Sequence, residues 1–161
     1  LNQLALVTLA LASSALAQPG IPGSISATKG IRESGNLFST TLPDANRYVV
    51  RATGSSFKNA EIVYTASNPA WMFSGIKRIN LYLKMDFSVR RNLSADVFNW
   101  QANRWETKLI RYDISALNIG NQIAVGREFF GPNGTVRVRM RASFSNDFRM
   151  RFDWLILTAG F

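Results

Sequence analysis

Five arginines in two neighbouring stretches are the groups in this sequence best suited to chemistry: Arg137, Arg139, Arg141, Arg149 and Arg151. Within each stretch they recur at every second residue, the spacing that puts side chains on one face of an extended strand. Guanidinium groups fork onto carboxylate, sulfate or phosphate oxygens, so a row of them suits an anionic polymer. Tyr82, beside Asn80 and Lys84, offers an aromatic ring with hydrogen-bond donors around it, the combination that sugar binding uses. Trp71 follows the Asn68-Pro69 turn and is a second candidate stacking surface. The plainer alternative for the arginines is a solvated strand face whose charges discourage edge-to-edge pairing.

Other chemistry is excluded by composition. The chain has no histidine and no cysteine. The commonest general base, thiol nucleophiles, disulfides and thiolate metal sites are therefore missing together. A Ser-His-Asp or Cys-His mechanism cannot be built. Catalysis would have to rest on carboxylates, Lys or Tyr, and the ten acidic residues form no D-x-D or E-x-x-E pair. No catalytic residue, metal ligand or cofactor is assigned. A structural calcium ion would need clustered carboxylates or carbonyls, which the sequence does not place.

The strands that must position these groups are legible from periodicity. Ile79, Leu81, Leu83, Met85 and Phe87 alternate with Asn80, Tyr82, Lys84, Asp86 and Ser88, giving one buried face and one wet face. Val136, Val138, Met140, Ala142 and Phe144 alternate with the first three arginines and Ser143. Phe148, Met150, Phe152, Trp154 and Ile156 alternate with the other two. With Ser145-Asn146-Asp147 as a turn, the two runs read as a hairpin opposing Met140 to Phe152 and Val138 to Trp154. Its polar face would join all five arginines, pair Arg139 with Asp153 and set Arg141 against Arg151. Shorter strands are expected at residues 48–53 and 60–67, and one or two between 27 and 41. Residues 95–100 and 104–112 read as arms of a hairpin carrying Trp100 and Trp105, an aromatic clasp between two central strands. Arg90-Arg91-Asn92 is expected to turn the chain, and residues 114–131 to hold a short helix or loop. No long helical stripe is present, so the expected class is all-β, an antiparallel sandwich or barrel.

Residues 1–17 end in a leucine- and alanine-rich run followed by Ala15-Leu16-Ala17, the pattern of a secretory signal peptide lacking its true start. The run is too short for a membrane span, and no transmembrane helix is expected after its removal. Residues 18–26, rich in Pro, Gly and Ser, read as a linker. Residues 27–161 are then a single β-sandwich domain, large enough for a real core at 47% hydrophobic content. The net charge is +9, and residues 76–161 hold 14 of the 19 basic groups against 7 of the 10 acidic ones. That asymmetry favours anionic partners. Export and the lack of interleaved aromatics on the arginine face argue against nucleic acid.

The order of these segments is familiar: the strand at 79–87, Val97-Phe98-Asn99-Trp100 turning to Trp105, Gly134-Thr135-Val136-Arg137-Val138-Arg139-Met140-Arg141, and the closing Phe152-Asp153-Trp154-Leu155. Over roughly residues 76–160 this resembles the accessory jelly-roll domains of secreted bacterial proteins, of galactose-binding-like or carbohydrate-binding-module-like architecture. The resemblance implies an antiparallel jelly-roll β-sandwich with a non-catalytic binding or structural role, secreted or at the cell surface. The expected partner is a polysaccharide or other anionic surface polymer. Two other readings stand beside it. A small outer-membrane barrel would turn the apolar face to lipid and the arginines to a lumen, and a polysaccharide-active enzyme would need two carboxylates in a cleft.

Overall fold

The computed structural model describes residues 18–41, 46–72, 76 and 78–160. The proposed signal peptide lies outside them. Nine strands follow in chain order: β1 (Gln18–Pro19), β2 (Ile21–Lys29), β3 (Ile31–Ser34), β4 (Tyr48–Arg51), β5 (Lys58–Ser67), β6 (Arg78–Asn99), β7 (Arg104–Ala124), β8 (Thr135–Phe144) and β9 (Arg149–Gly160). Every pairing between them is antiparallel.

The β6–β7 hairpin is the spine. Along its first half β6 pairs with β9, in register from Arg78↔Gly160 to Phe87↔Met150. Along its second half it pairs with β8, from Ser94↔Arg141 to Val97↔Val138. The sheet therefore divides into two layers. The first runs β2-β5-β8 onto the tip half of the hairpin. The second runs β3-β4-β9 onto its base half, with β1 added to the far end of β9. The apolar sides of both layers face each other: Ile62, Val138 and Met140 from the first, Leu81, Leu83, Met150 and Phe152 from the second, all fully buried. This is an antiparallel β-sandwich, and its apolar strand faces close on a filled interior rather than facing lipid as a barrel would require.

The alternation at residues 79–87 holds as expected, with Ile79, Leu81, Leu83, Met85 and Phe87 in the core. Other expectations are corrected. The stretch 18–26 is not a linker, because Gln18 and Pro19 pair with β9 and residues 21–29 form an outer strand against β5. The chain does not turn at Arg90-Arg91-Asn92. β6 continues through it, and the surplus residues are absorbed as a register shift against β7 between Asp86 and Arg91. Arg91 points inward there, its guanidinium 3.9 Å from the Phe144 ring centroid and 5.1 Å from that of Phe148. Residues 114–124 are strand, and the short helix expected between 114 and 131 is a single 3-10 turn at Arg127–Phe129; β7 is the outermost strand of its layer rather than a central one.

The largest correction concerns β8 and β9, which do not pair. β8 lies between β5 and β6, and β9 lies between β4 and β6. The turn at residues 145–148 carries the chain from one layer to the other. Met140 and Phe152 still share the core, but they reach it from opposite layers.

Candidate functional site

The separation of β8 from β9 divides the candidate residues into three groups. Arg137, Arg139 and Arg141 lie on the outer face of the first layer. Tyr82, Lys84, Arg149 and Arg151 lie on the outer face of the second. Trp71 is on neither, being fully buried. Its ring meets Phe130 edge-on at 6.0 Å and its Nε1 donates to the Gln18 carbonyl at 3.1 Å. A Cβ on Gly20 would sit 2.3 Å from that ring, so Gly20 is what lets β1 close over it. Trp71 is therefore a core anchor and is not a stacking surface for a ligand.

On the first layer, strand parity brings β6 side chains beside the arginines. Ala95 and Val97 point into the core, so Ser94, Asp96 and Phe98 point out. Register then sets Asp96 opposite Arg139 on one side and Thr107 on the other. The Asp96 side chain is 1% exposed and accepts five contacts: Arg139 Nε at 2.8 Å, Arg139 Nη2 at 2.7 Å, Arg141 Nε at 3.1 Å, Arg141 Nη2 at 3.5 Å and Thr107 Oγ1 at 2.7 Å. Arg139 thus pairs with Asp96, not with Asp153. The like-charge contact expected between Arg141 and Arg151 does not arise, because the two are on different layers.

Arg137 is different. Among the described residues it has no carboxylate partner, and it is half-buried. Its guanidinium lies 5.0 Å from the ring centroid of Phe98, 5.3 Å from Trp105 and 6.0 Å from Trp100. Arg139 lies 4.7 Å from Trp105. The two tryptophans of the hairpin do not clasp each other directly. Each meets Phe98 edge-on at 5.2 Å, and Trp100 also lies against Gly131. The hairpin is held at its tip by Asn99, whose Oδ1 accepts from the Ala102 amide at 2.8 Å, and by Asn103 in the left-handed region at φ +51°. Below it, Lys108 and then Asn99 hydrogen-bond to Glu106 and hold its carboxyl below the ordinary value.

Beside Arg141 the same face opens into a hollow of about 240 Å³ lined by Lys29, Asn59, Glu61, Ser94 and Arg141. Glu61 is mostly buried, accepting from Thr28 Oγ1 at 2.8 Å and lying 3.6 Å from Lys29 Nζ. The face therefore presents, in sequence, an aromatic cluster with an unmatched guanidinium, an acid-locked arginine pair and a polar hollow. Chemically this can stack a ring, fork onto an anion and hydrogen-bond hydroxyls.

The second outer face is built otherwise. Lys84 Nζ is 2.6 Å from Asp153 Oδ2, Arg151 and Arg47 both pair with Asp86, and Arg149 and Arg51 both pair with Glu33. The Arg149 hydrogen bond holds the Glu33 carboxyl below its ordinary value, and Glu33 in turn raises Arg149. Tyr82 lies over Gly120, where a Cβ would be 2.6 Å from its ring. Among the described residues, no three acidic side chains converge as metal ligands would.

Phe98, Trp105, Asp96 and Glu61 are site residues that the arginine pattern did not single out. The parity of Ala95 and Val97 already placed Asp96 and Phe98 on the wet face. What was missing was the strand beside them.

No family model matches this chain, and no curated protein matches it. Solved structures do. The xylan-binding module CBM15 is 10% identical, with a TM-score of 0.51 over 90% of this chain and 96% of that one. The CBM32 of AlyQ, solved with 4,5-unsaturated mannuronic acid, is 7% identical, with a TM-score of 0.50 over 87% of this chain and 97% of that one. A truncated AlyQ holding CBM32 and alginate lyase domains is 9% identical, with a TM-score of 0.54 over 91% of this chain and 34% of that one. At such identities the likeness defines a fold, the jelly-roll β-sandwich of carbohydrate-binding modules.

Proposed function

We propose that this chain is a non-catalytic, exported polysaccharide-binding module that holds an acidic glycan across the outer face of its first layer. The observation that carries this is Arg137, a guanidinium without an acid partner set among Phe98, Trp100 and Trp105, in line with the hollow at Arg141. A sugar ring stacks on the rim of the aromatic cluster while Arg137 forks onto its carboxylate. Hydroxyls of the next residues reach Ser94, Asn59 and Glu61. Two modules of the same fold take saccharides, xylan in one and an unsaturated uronic acid in the other, and the second of these ligands is of the anionic class this face would take. Asp96 is saturated by hydrogen bonds, which leaves it no part in proton transfer and supports a binding role over a hydrolytic one.

Electrophoresis of the protein through gels containing a polyuronate, with neutral xylan as comparison, tests the reading. Retardation by the polyuronate is expected, and it should be clearly weakened in Arg137→Gln and in Trp105→Ala. Equal retardation of wild type and both variants would remove this face from the proposal. Retardation by xylan alone would remove the anionic preference.

A further inference from the structure

One extra residue reverses the faces of β9. Met85 pairs with Phe152 and Lys84 with Trp154, which leaves Asp153 with no residue opposite it on β6. A bulge of this kind re-aims the side chains that follow it. Leu155 and Leu157 enter the core, and Trp154 and Ile156 turn out, half-buried, onto the outer face of the second layer. A tryptophan carries more apolar area than the leucines that replace it inside. Core packing therefore does not account for its place on the wet face.

Register gathers a ledge around Trp154. Tyr82 lies opposite Ile156, and Trp154 opposite Lys84, so the two aromatic residues are diagonal neighbours about 7–8 Å apart. Tyr82 leans over Gly120 of β7, which has no side chain to cover the ring. Asn118, exposed, lies opposite Lys84 on the same side. The cation of the ledge is matched. Lys84 Nζ is 2.6 Å from Asp153 Oδ2, and the Asp153 side chain is 8% exposed. The buried acid both cancels the charge and holds the ammonium in place as a donor. Asp153 Oδ1 is buried and has no partner among the described residues, an unmet acceptor at the base of the ledge.

We propose that Tyr82 and Trp154 form a second saccharide site, on the layer opposite Arg137, and that it takes a neutral glycan. The occupant follows from charge balance. On the first layer Arg137 has no acid beside it, and an anion completes it. Here the one lysine already has its carboxylate, so an acidic sugar gains no unmatched cation and meets Asp153. Hydroxyls find donors at Lys84 and both donors and an acceptor at Asn118. A polyol also brings the donor that Asp153 Oδ1 lacks. The two rings offer apolar faces to successive sugar units. β6 is paired on both sides along this stretch, so the ledge offers a foreign strand no backbone edge at Tyr82. The inference does not rest on the reading of the first layer, and with both sites filled the sandwich would hold one glycan on each side.

Electrophoresis of the full chain through gels containing neutral xylan, galactan or glucan tests it, with Trp154→Ala, Tyr82→Ala and, as a control elsewhere on the same layer, Arg149→Gln. At least one of the three polymers should retard the wild type. Either ring variant should bind that polymer about tenfold more weakly, the scale of one stacked ring lost, and Arg149→Gln should bind it as the wild type does. Thermal unfolding is followed for each variant, and should Trp154→Ala fail to fold, Tyr82→Ala and Trp154→Phe carry the test, the latter keeping a ring and part of the binding. A wild type that none of the three polymers retards would overturn the proposal. So would retardation that both ring variants keep in full. Polyuronate gels run beside these separate the two sites: a wild type that polyuronate does not retard counts against the first layer alone, whereas ring variants that lose polyuronate and neutral binding together would mean a single surface and overturn the second site.

Discussion

On the outer face of the first layer, Arg139 and Arg141 converge on Asp96, whose side chain is almost wholly buried. On the outer face of the second, the acids Asp86 and Glu33 are themselves partly exposed, at 23% and 29% of their side chains, and each serves two exposed arginines. Both faces carry more cations than acids, so net charge does not separate them. What separates them is depth and company. The first face sinks its carboxylate, frees Arg137 among three aromatic rings and opens into a hollow. The second buries Asp153 under Lys84 but keeps the arginine pairs of Asp86 and Glu33 near solvent, where screening leaves each worth little. The same spacing of arginines thus produces a locked, aromatic-lined surface on one side and a screened, solvated one on the other.

The sharpest way to break this comparison is to remove one acid from each face. Asp96→Ala leaves two guanidinium groups facing an empty, buried position and should cost about 3 kcal/mol of folding stability. Asp86→Ala should cost about 1 kcal/mol or less. Chemical denaturation measures both, and equal losses would mean that the two faces are built alike.

A smaller effect separates the faces by ligand. Arg137→Gln should weaken polyuronate binding about tenfold, the scale of one charged hydrogen bond lost, while Arg149→Gln should leave it unchanged. Affinity electrophoresis reads both. If Arg149→Gln weakens binding as much as Arg137→Gln, the ligand lies on the second face. Raising the salt concentration should reduce retardation in the wild type more than in Arg137→Gln, because only the wild type presents that cation to the ligand.

The smallest effect is a pH dependence at Glu33 on the second face. Glu33 has its folded pKa lowered from 4.5, first by the hydrogen bond from Arg149. Its contribution is therefore complete above the unfolded value and is lost as the pH falls through the lower, folded value. The difference in Tm between wild type and Arg149→Gln should be present at neutral pH and vanish in acid. A difference that persists at the lowest pH would mean that Arg149 stabilises by packing and not through Glu33.

Several of these features were legible before the fold was known, and some were not. Parity placed Ile79 through Phe87 in the core and the arginines outside it, because strand geometry alone decides which side of a strand a residue faces. Parity cannot say which strand comes next. A partner in the same layer and one across the core both present an apolar residue opposite Met140, so the pattern at residues 136–156 fitted a hairpin as well as it fitted two layers. The choice moved Arg149 and Arg151 to the far face and gave Arg139 to Asp96 instead of Asp153. Trp71 misled for a related reason. A tryptophan after a turn looks exposed in sequence, and it is β1, folded back along β9 over Gly20, that covers it.

The sequence by itself determined the all-β class, the apolar sides of β6 and β8 and the absence of thiol and imidazole chemistry. Each of these is a property of residue type or of spacing along one strand. Past Asp153 a register shift against β6 reverses the expected parity of β9, burying Leu155 and Leu157 in place of Trp154 and Ile156. The tertiary structure alone decided which charges meet and that Arg137, among the described residues, is set among aromatic rings without a carboxylate partner. Each of those depends on a neighbour far away in the chain, and register between distant strands is set by the packing of the whole core rather than by any local pattern.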